Sequence, residues 1–164
     1  MREFFTGGFE MNPFVNVSYF MKAQRLLDEL YTKAITEAAA EYGLSKREAE
    51  VLVFFANNRA YTSAVDAERV RGFSKTYVSI ALERLVSKEL ITLTRDGEDR
   101  RVQHIAINAS AQACVLALQK MQGDFVEAIL AGYSEEEKET LKRLFRKMAE
   151  HAETIADEAL NHKT

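Results

Sequence analysis

Apolar residues return every three to four positions over most of this chain, and they switch to alternation only once. Phe20, Ala23, Leu27, Leu30, Tyr31, Ala34 and Ala38 predict a first helix running to Tyr42. Asn12 and Pro13 suit its N-cap and first turn, and Gly43 its C-terminal stop. Ser45 with Glu48 reads as a capping box opening a second helix, apolar at Val51, Leu52, Phe54 and Phe55 and closed by Asn57-Asn58. Thr62 is expected to cap a short third helix through Val65, Ala67 and Val70, ending at Gly72. Ser74 then caps a fourth, whose inward stripe is Val78, Ala81, Leu82 and Leu85 and whose opposite face carries Lys75, Thr76, Ser79 and Ile80. From Leu90 to Arg95 the pattern alternates, Ile91 and Leu93 against Thr92 and Thr94, which predicts a half-buried strand. Asp96-Gly97-Glu98-Asp99 makes the turn, and Val102 to Ile107 returns as its partner.

Helical spacing then resumes. Asn108 is expected to cap a long helix from Ala109 to Ala131, apolar at Val115, Leu118, Met121, Phe125 and Ile129 and broken by Gly132. Ser134 and Glu137 form a further capping box, followed by Leu141, Leu144, Phe145, Met148, Ala152, Ile155 and Ala156 down the final helix. The fold class expected is mainly α with a small β-hairpin wing: a winged helix-turn-helix over 45–107 within a single domain of 1–164. The flanking helices, 12–42 and 109–160, are too long for a domain of this size to cover. Their apolar stripes call for a second copy of the chain, and a homodimer is expected. Met1 to Met11, with Phe4, Phe5 and Phe9 around Gly7 and Gly8, reads either as a frayed arm or as an aromatic hook onto that partner.

Composition narrows the classes. At 164 residues and 47% hydrophobic, the chain can bury a working core. No apolar run reaches the ~20 residues of a membrane span. The start, MREFFTGGFEMNPF, shows no basic region followed by an apolar core, so no signal peptide and a cytoplasmic location are expected. The single cysteine, Cys114, leaves no internal disulfide to form. Net charge is −3, a poor match to a polyanionic partner, but the charge is unevenly spread. Nine Lys/Arg against seven Asp/Glu lie between Arg59 and Ile107, a local +2 beside −5 over the rest.

Those local charges carry the candidate chemistry. Short polar side chains at the start of the helix after Phe73 can reach base edges and phosphates, and Lys75 can clamp a phosphate. The helix N-terminus itself favours an anion. Beyond the acidic turn, Arg100 and Arg101 stand side by side, and Arg101 at a hairpin tip can enter a narrow minor groove. Asp99 can orient that guanidinium through a charge-assisted hydrogen bond. Duplex DNA is the partner expected.

The run ELITLTRDGEDRRVQHIAIN, with its Asp99-Arg100-Arg101 triplet, resembles the wing of the MarR family of winged helix-turn-helix regulators. SKTYVSIALERLVSKELI is similar to that family's recognition helix and following strand, and the resemblance extends over nearly the whole chain. It implies a dimeric bacterial or archaeal transcription regulator, usually a repressor, whose grip on DNA is altered by a small molecule or an oxidant. On this match Ser74, Lys75, Thr76, Tyr77 and Ser79 would face the major groove and Arg101 the minor groove. Four positions depart from the family pattern. Ile80 stands where an arginine is frequent, which removes a DNA contact or turns it into contact with a thymine methyl. Glu89 replaces the usual glycine before the first strand, so the helix is expected to end differently. Asp66 and Ala67 stand where a Leu-Ala pair is common.

The resemblance also implies an effector pocket between the dimerisation helices and the reader, with Tyr19, Phe20, Phe54 and Phe55 as aromatic candidates and no identifiable ligand. Peroxide-sensing members carry their reactive cysteine near the N-terminus, where this chain has none. Cys114, with no cationic neighbour in sequence, reads as a buried structural thiol. His104, His151 and His162 are dispersed, and no cluster has metal-ligand spacing. No phosphate loop, nucleophile elbow or HExxH is present, and Glu135-Glu136-Glu137 is accounted for by a helix first turn. Neither catalysis nor a cofactor is expected. A winged-helix module that binds protein instead of DNA is the alternative, motivated by Ile80 and the acidic total.

Overall fold

A computed structural model describes residues 17–95 and 103–161. The readings placed on Met1 to Met11, Asn12, Pro13, the turn Asp96 to Asp99, Arg100, Arg101, Val102 and His162 lie outside the described residues. In chain order the elements are α1 (Val17–Ala40), α2 (Lys46–Asn57), α3 (Ala64–Arg71), α4 (Lys75–Ser87), β1 (Ile91–Arg95), β2 (Gln103–Ile107), a 3₁₀ turn (Ala109–Ala111), α5 (Gln112–Ile129) and α6 (Glu135–Asn161). The chain divides into two compact units, Met1–Phe125 and Val126–Thr164.

The first unit is built around α2, whose residues from Glu48 to Phe55 are all buried. Against it pack Ile35 and Ala39 of α1, Val78, Ala81, Leu82 and Leu85 of α4, Ile91 and Ile105 of the hairpin, and Cys114, Val115 and Leu118 of α5. Burying a Leu, Ile or Val side chain of this kind contributes about 1.5–3 kcal/mol. The inward stripe expected on α4 is thus the one observed. A polar chain runs alongside the core: Gln122 donates to Tyr31 Oη at 2.8 Å, Asn57 donates to Gln122 at 2.8 Å, and Gln119 donates to Asn57 at 2.9 Å. It joins α1, α2 and α5 through directional bonds, which fixes their register as apolar contact alone does not.

Local sequence sets the element ends. Ser45 and Glu48 form the expected capping box, with the Ser45 N–H donating to Glu48 Oε2 at 2.7 Å. Gly43, at φ 65°, makes the left-handed turn that ends α1, letting Leu44 N–H reach back to the Ala39 carbonyl at 3.0 Å. Gly72 does the same for α3 at φ 72°. Ser74 caps α4, accepting from the Tyr77 N–H at 3.2 Å. The cap of α3 is Ser63 and not Thr62: Ser63 and Asp66 close the reciprocal box, because Asp66 stands three residues after Ser63 and four after Thr62. Thr62 has another task, described below.

Three further differences concern helix ends. Asn108 forms no side-chain cap; its amide donates to the Glu89 carbonyl at 2.8 Å and its oxygen accepts from Thr92 at 2.7 Å, while the helix after it starts with the 3₁₀ turn. α5 ends at Ile129, two residues before the expected Ala131, as the Ala131 N–H bonds the Ala128 carbonyl in a tighter turn. Glu89, expected to end its helix differently from a glycine, adopts the glycine-like conformation itself at φ 57°. The Leu90 N–H reaches the Leu85 carbonyl and the Glu89 N–H the Val86 carbonyl, the paired bonds of a Schellman end.

The two strands pair antiparallel in the register Ile91↔Ile107 to Arg95↔Gln103. Ile91 and Ile105 turn inward and Thr92, Thr94 and Ala106 outward, as the alternation predicts. In the second unit, Ser134 and Glu137 form their expected box, and α6 presents Leu144, Phe145, Met148 and Ile155 to solvent. No helix among the described residues is long and apolar enough to cross a membrane.

Candidate nucleic-acid interface

The residues expected to read DNA divide according to how α4 is seated. Its buried stripe fixes the rotation of the helix, and Ser74, Lys75, Thr76 and Ser79 fall on the exposed side. The first turn has no internal partners for its N–H groups beyond the Ser74 cap, so its positive end faces outward beside the Lys75 ammonium. Ile80 is half-buried and so offers apolar surface at the margin of this face.

Tyr77, expected in the groove with these four, is turned into the protein instead. Its hydroxyl donates to Glu50 Oε2 on α2, a residue 27 positions earlier, and its ring stacks on Phe73. Burial raises the phenol above its ordinary pKa, and the hydrogen bond and negative charge of Glu50 push it the same way, against a smaller opposing pull from Arg47 and Arg71. The group stays a neutral donor, and the bond ties the start of α4 to α2. Sequence spacing carried no sign of this pair.

The far end of α4 is tied down as well. Lys88, just past its last turn, reaches Glu48 Oε1 at 2.8 Å and donates to the Gly43 carbonyl at 2.6 Å. Glu48 is 1% exposed. Burial pushes its carboxyl toward the neutral form, but hydrogen bonds from Lys88 and Ser45, with the Lys88 charge, outweigh that and hold its pKa below the usual value. One buried carboxylate thereby joins the α1–α2 turn, the start of α2 and the end of α4.

The hairpin stands beside α4, anchored on both edges. Thr62 supplies the outer anchor: its carbonyl accepts from the Ile105 N–H at 2.7 Å, and its Oγ1 shares a 2.9 Å hydrogen bond with His104 Nδ1. At the root, the Asn108 N–H bonds the Leu90 carbonyl at 3.0 Å, and Ser110 Oγ donates to Glu89 at 2.6 Å. The strands are described up to Arg95 and from Gln103; Asp99, Arg100 and Arg101 lie between them, outside the described residues.

Of the four aromatic candidates for an effector pocket, Phe54 and Phe55 are core residues in edge-to-face contact, and Phe54 also stacks on Tyr61. Tyr19 and Phe20 are exposed on α1. The structure does not bring the two pairs together. A cleft of about 490 Å³ does open between α2, β2 and the start of α5, with Phe55, Ile107 and Val115 as apolar wall and Arg59, Gln112 and Gln119 as polar rim. Cys114 is 2% exposed, and burial raises its thiol pKa, which suppresses the reactive thiolate. Among the described residues no group of three or more His, Cys, Asp or Glu could hold a metal ion.

Comparison with known proteins agrees with this geometry. Residues 42–102 match the model of the MarR family. A MarR transcriptional regulator from Methanosarcina mazei Go1 superposes with a TM-score of 0.72 at 15% identity, over 84% of this chain and 99% of that one. The MepR–DNA complex of S. aureus superposes with a TM-score of 0.67 at 20% identity, over 80% of this chain and 97% of that one. BpsR of Bordetella bronchiseptica, whose DNA binding is described as regulated by 6-hydroxynicotinic acid, gives 0.64 at 18%, over 80% and 98%. No curated protein sequence matches the chain. Residues 42–102 thus resemble the MarR family in sequence, and the described chain shares the winged-helix fold of the MarR transcriptional regulators on which it superposes.

Proposed function

We propose that the protein is a sequence-specific regulator of transcription that binds duplex DNA as a homodimer and represses by occluding a promoter. The observation that carries this is the seating of α4, with four apolar residues buried on one side and Ser74, Lys75, Thr76 and Ser79 exposed on the other, next to a two-stranded hairpin; Asp99, Arg100 and Arg101 fall in the sequence between its strands. In this reading the exposed residues of α4 meet base edges and phosphates in the major groove. Arg101, held by Asp99, enters the adjacent minor groove, and Arg100 meets the backbone. Tyr77 acts through position, fixing the angle of the helix from within. That the MepR structure is a DNA complex supports the same partner here.

In this reading the flanking helices α1, α5 and α6 contribute to the dimer base, which would set two copies of α4 about one DNA turn, ~34 Å, apart on a pseudo-palindrome. Ligand response fits the cleft between α2, β2 and α5, because one wall is β2 of the wing and another is α2, against which α4 packs. A ligand that prefers one spacing of the heads by a few kcal/mol would suffice to release DNA. The cytoplasm, where the DNA is, is the location that goes with this function.

Mobility shifts on the DNA upstream of the protein's own gene test the reading. Binding to a pseudo-palindrome there should weaken steeply with salt. Arg101→Ala should cost at least tenfold in affinity for that site while leaving the dimer intact, and unchanged affinity would remove the wing from the interface. The acidic total and the half-buried Ile80 favour a second reading, a protein-binding module. Failure of the wild-type protein to bind any duplex at low salt would select it.

A further inference from the structure

Two arginines outside the predicted reading residues are built into the start of α4. The Arg47 guanidinium carbon, on α2, lies 4.7 Å from the centroid of the Tyr77 ring. That of Arg71, the last residue of α3, lies 5.5 Å from the centroid of Phe73. The rings of Phe73 and Tyr77 stack on each other at 5.1 Å and 24°. Two stacked rings thus each carry a guanidinium, drawn from two other helices, and the Glu50 carboxylate fixes the Tyr77 end of the assembly.

Among the described residues neither guanidinium has an acid at ion-pair distance. Three cations nearby are engaged: Lys46 with Glu50, Arg69 with Asp66 and Lys88 with Glu48. Arg71 is exposed while Arg47 is half-buried. Stacking on a ring fixes the plane of a guanidinium and removes much of its rotamer freedom, yet leaves its N–H edge available. A planar fork held in this way suits bidentate bonding to a phosphate. Lys75, exposed at the same helix start, adds a third positive charge. The rings are already stacked on one another, which disfavours their use as platforms for unpaired bases.

We propose that Arg47 and Arg71 are phosphate contacts, a clamp on the DNA backbone beside the first turn of α4. This rests on the DNA-binding reading above and adds α2 to the interface. Contacts of this kind place the helix in its groove and add affinity without reading sequence.

The test is a salt titration of the full-length protein on a random-sequence duplex, followed by fluorescence anisotropy. With two copies of each arginine on the duplex, and about 0.9 of slope per phosphate contact, Arg47→Gln and Arg71→Gln should each reduce the slope of log affinity against log salt by about 1.8, and the double variant by about twice that. Arg47→Lys and Arg71→Lys, which keep the charge, should return the slope to the wild-type value. A merely structural role would lower stability and leave the slope alone, so thermal melts accompany each titration. Wild-type slopes in both glutamine variants would overturn the clamp while leaving DNA binding in place. No binding by the wild-type protein at low salt would overturn both readings.

Discussion

Glu89 shows how a single residue can hold a backbone shape that its own chemistry disfavours. A side chain at positive φ brings its Cβ against the following carbonyl, a cost of roughly 1–2 kcal/mol that glycine avoids. Glu89 stays there because its carbonyl accepts from both Asn108 and Ser110, and because the Leu90 N–H closes the end of α4. Glu89→Gly should relieve the strain while keeping those backbone bonds, raising stability by about 1 kcal/mol in urea unfolding. A loss of stability would mean that the glutamate side chain contributes more than its backbone conformation costs. The same residue marks a limit of sequence reading. Its departure from the glycine pattern was visible, but the compensating bonds come from residues 19 and 21 positions away.

At the scale of elements, the caps were the most legible features, since each is a short-range match of donor and acceptor. Ser45, Ser74 and Gly72 could be placed from spacing alone, and where two hydroxyls stood adjacent the acid three residues on chose Ser63 over Thr62. The links between elements were not legible: Tyr77 to Glu50, Lys88 to Glu48 and Arg47 to Tyr77 depend on how helices pack. The Glu48 link has a measurable pH signature. Because its folded-state pKa lies below the unfolded value, the stability it adds is present above the unfolded pKa, about 4.3, and is lost as pH falls through the folded one. Glu48→Gln should cost roughly 1–3 kcal/mol near neutral pH, as the partly exposed Lys88 can still turn to water. The difference from wild type should shrink on acidification; a gap that stays constant from pH 7 to pH 3 would show that the charge of Glu48 is not what matters.

For the whole molecule, apolar stripes on long helices were readable in advance, and the structure places them at the surface. Leu144, Phe145, Met148 and Ile155 on α6 are each about half exposed or more, and so are Tyr19, Phe20 and Leu30 on α1. Apolar surface of this extent on a long helix fits an oligomer better than a monomer. Phe145→Glu should move the solution mass, measured by light scattering, from two chains to one, and weaken operator binding by at least tenfold through loss of the paired heads. A dimer of unchanged mass would take α6 out of the interface.

The bonds at the base of the hairpin have a further consequence. Asn108 and Ser110 gather Glu89, Leu90 and Thr92 into one knot, so the two strands leave the body already fastened together. Farther out, Thr62 holds β2 a second time through Ile105 and His104. The described part of the hairpin is therefore held to the body at two heights, and a shift at either one is carried along both strands.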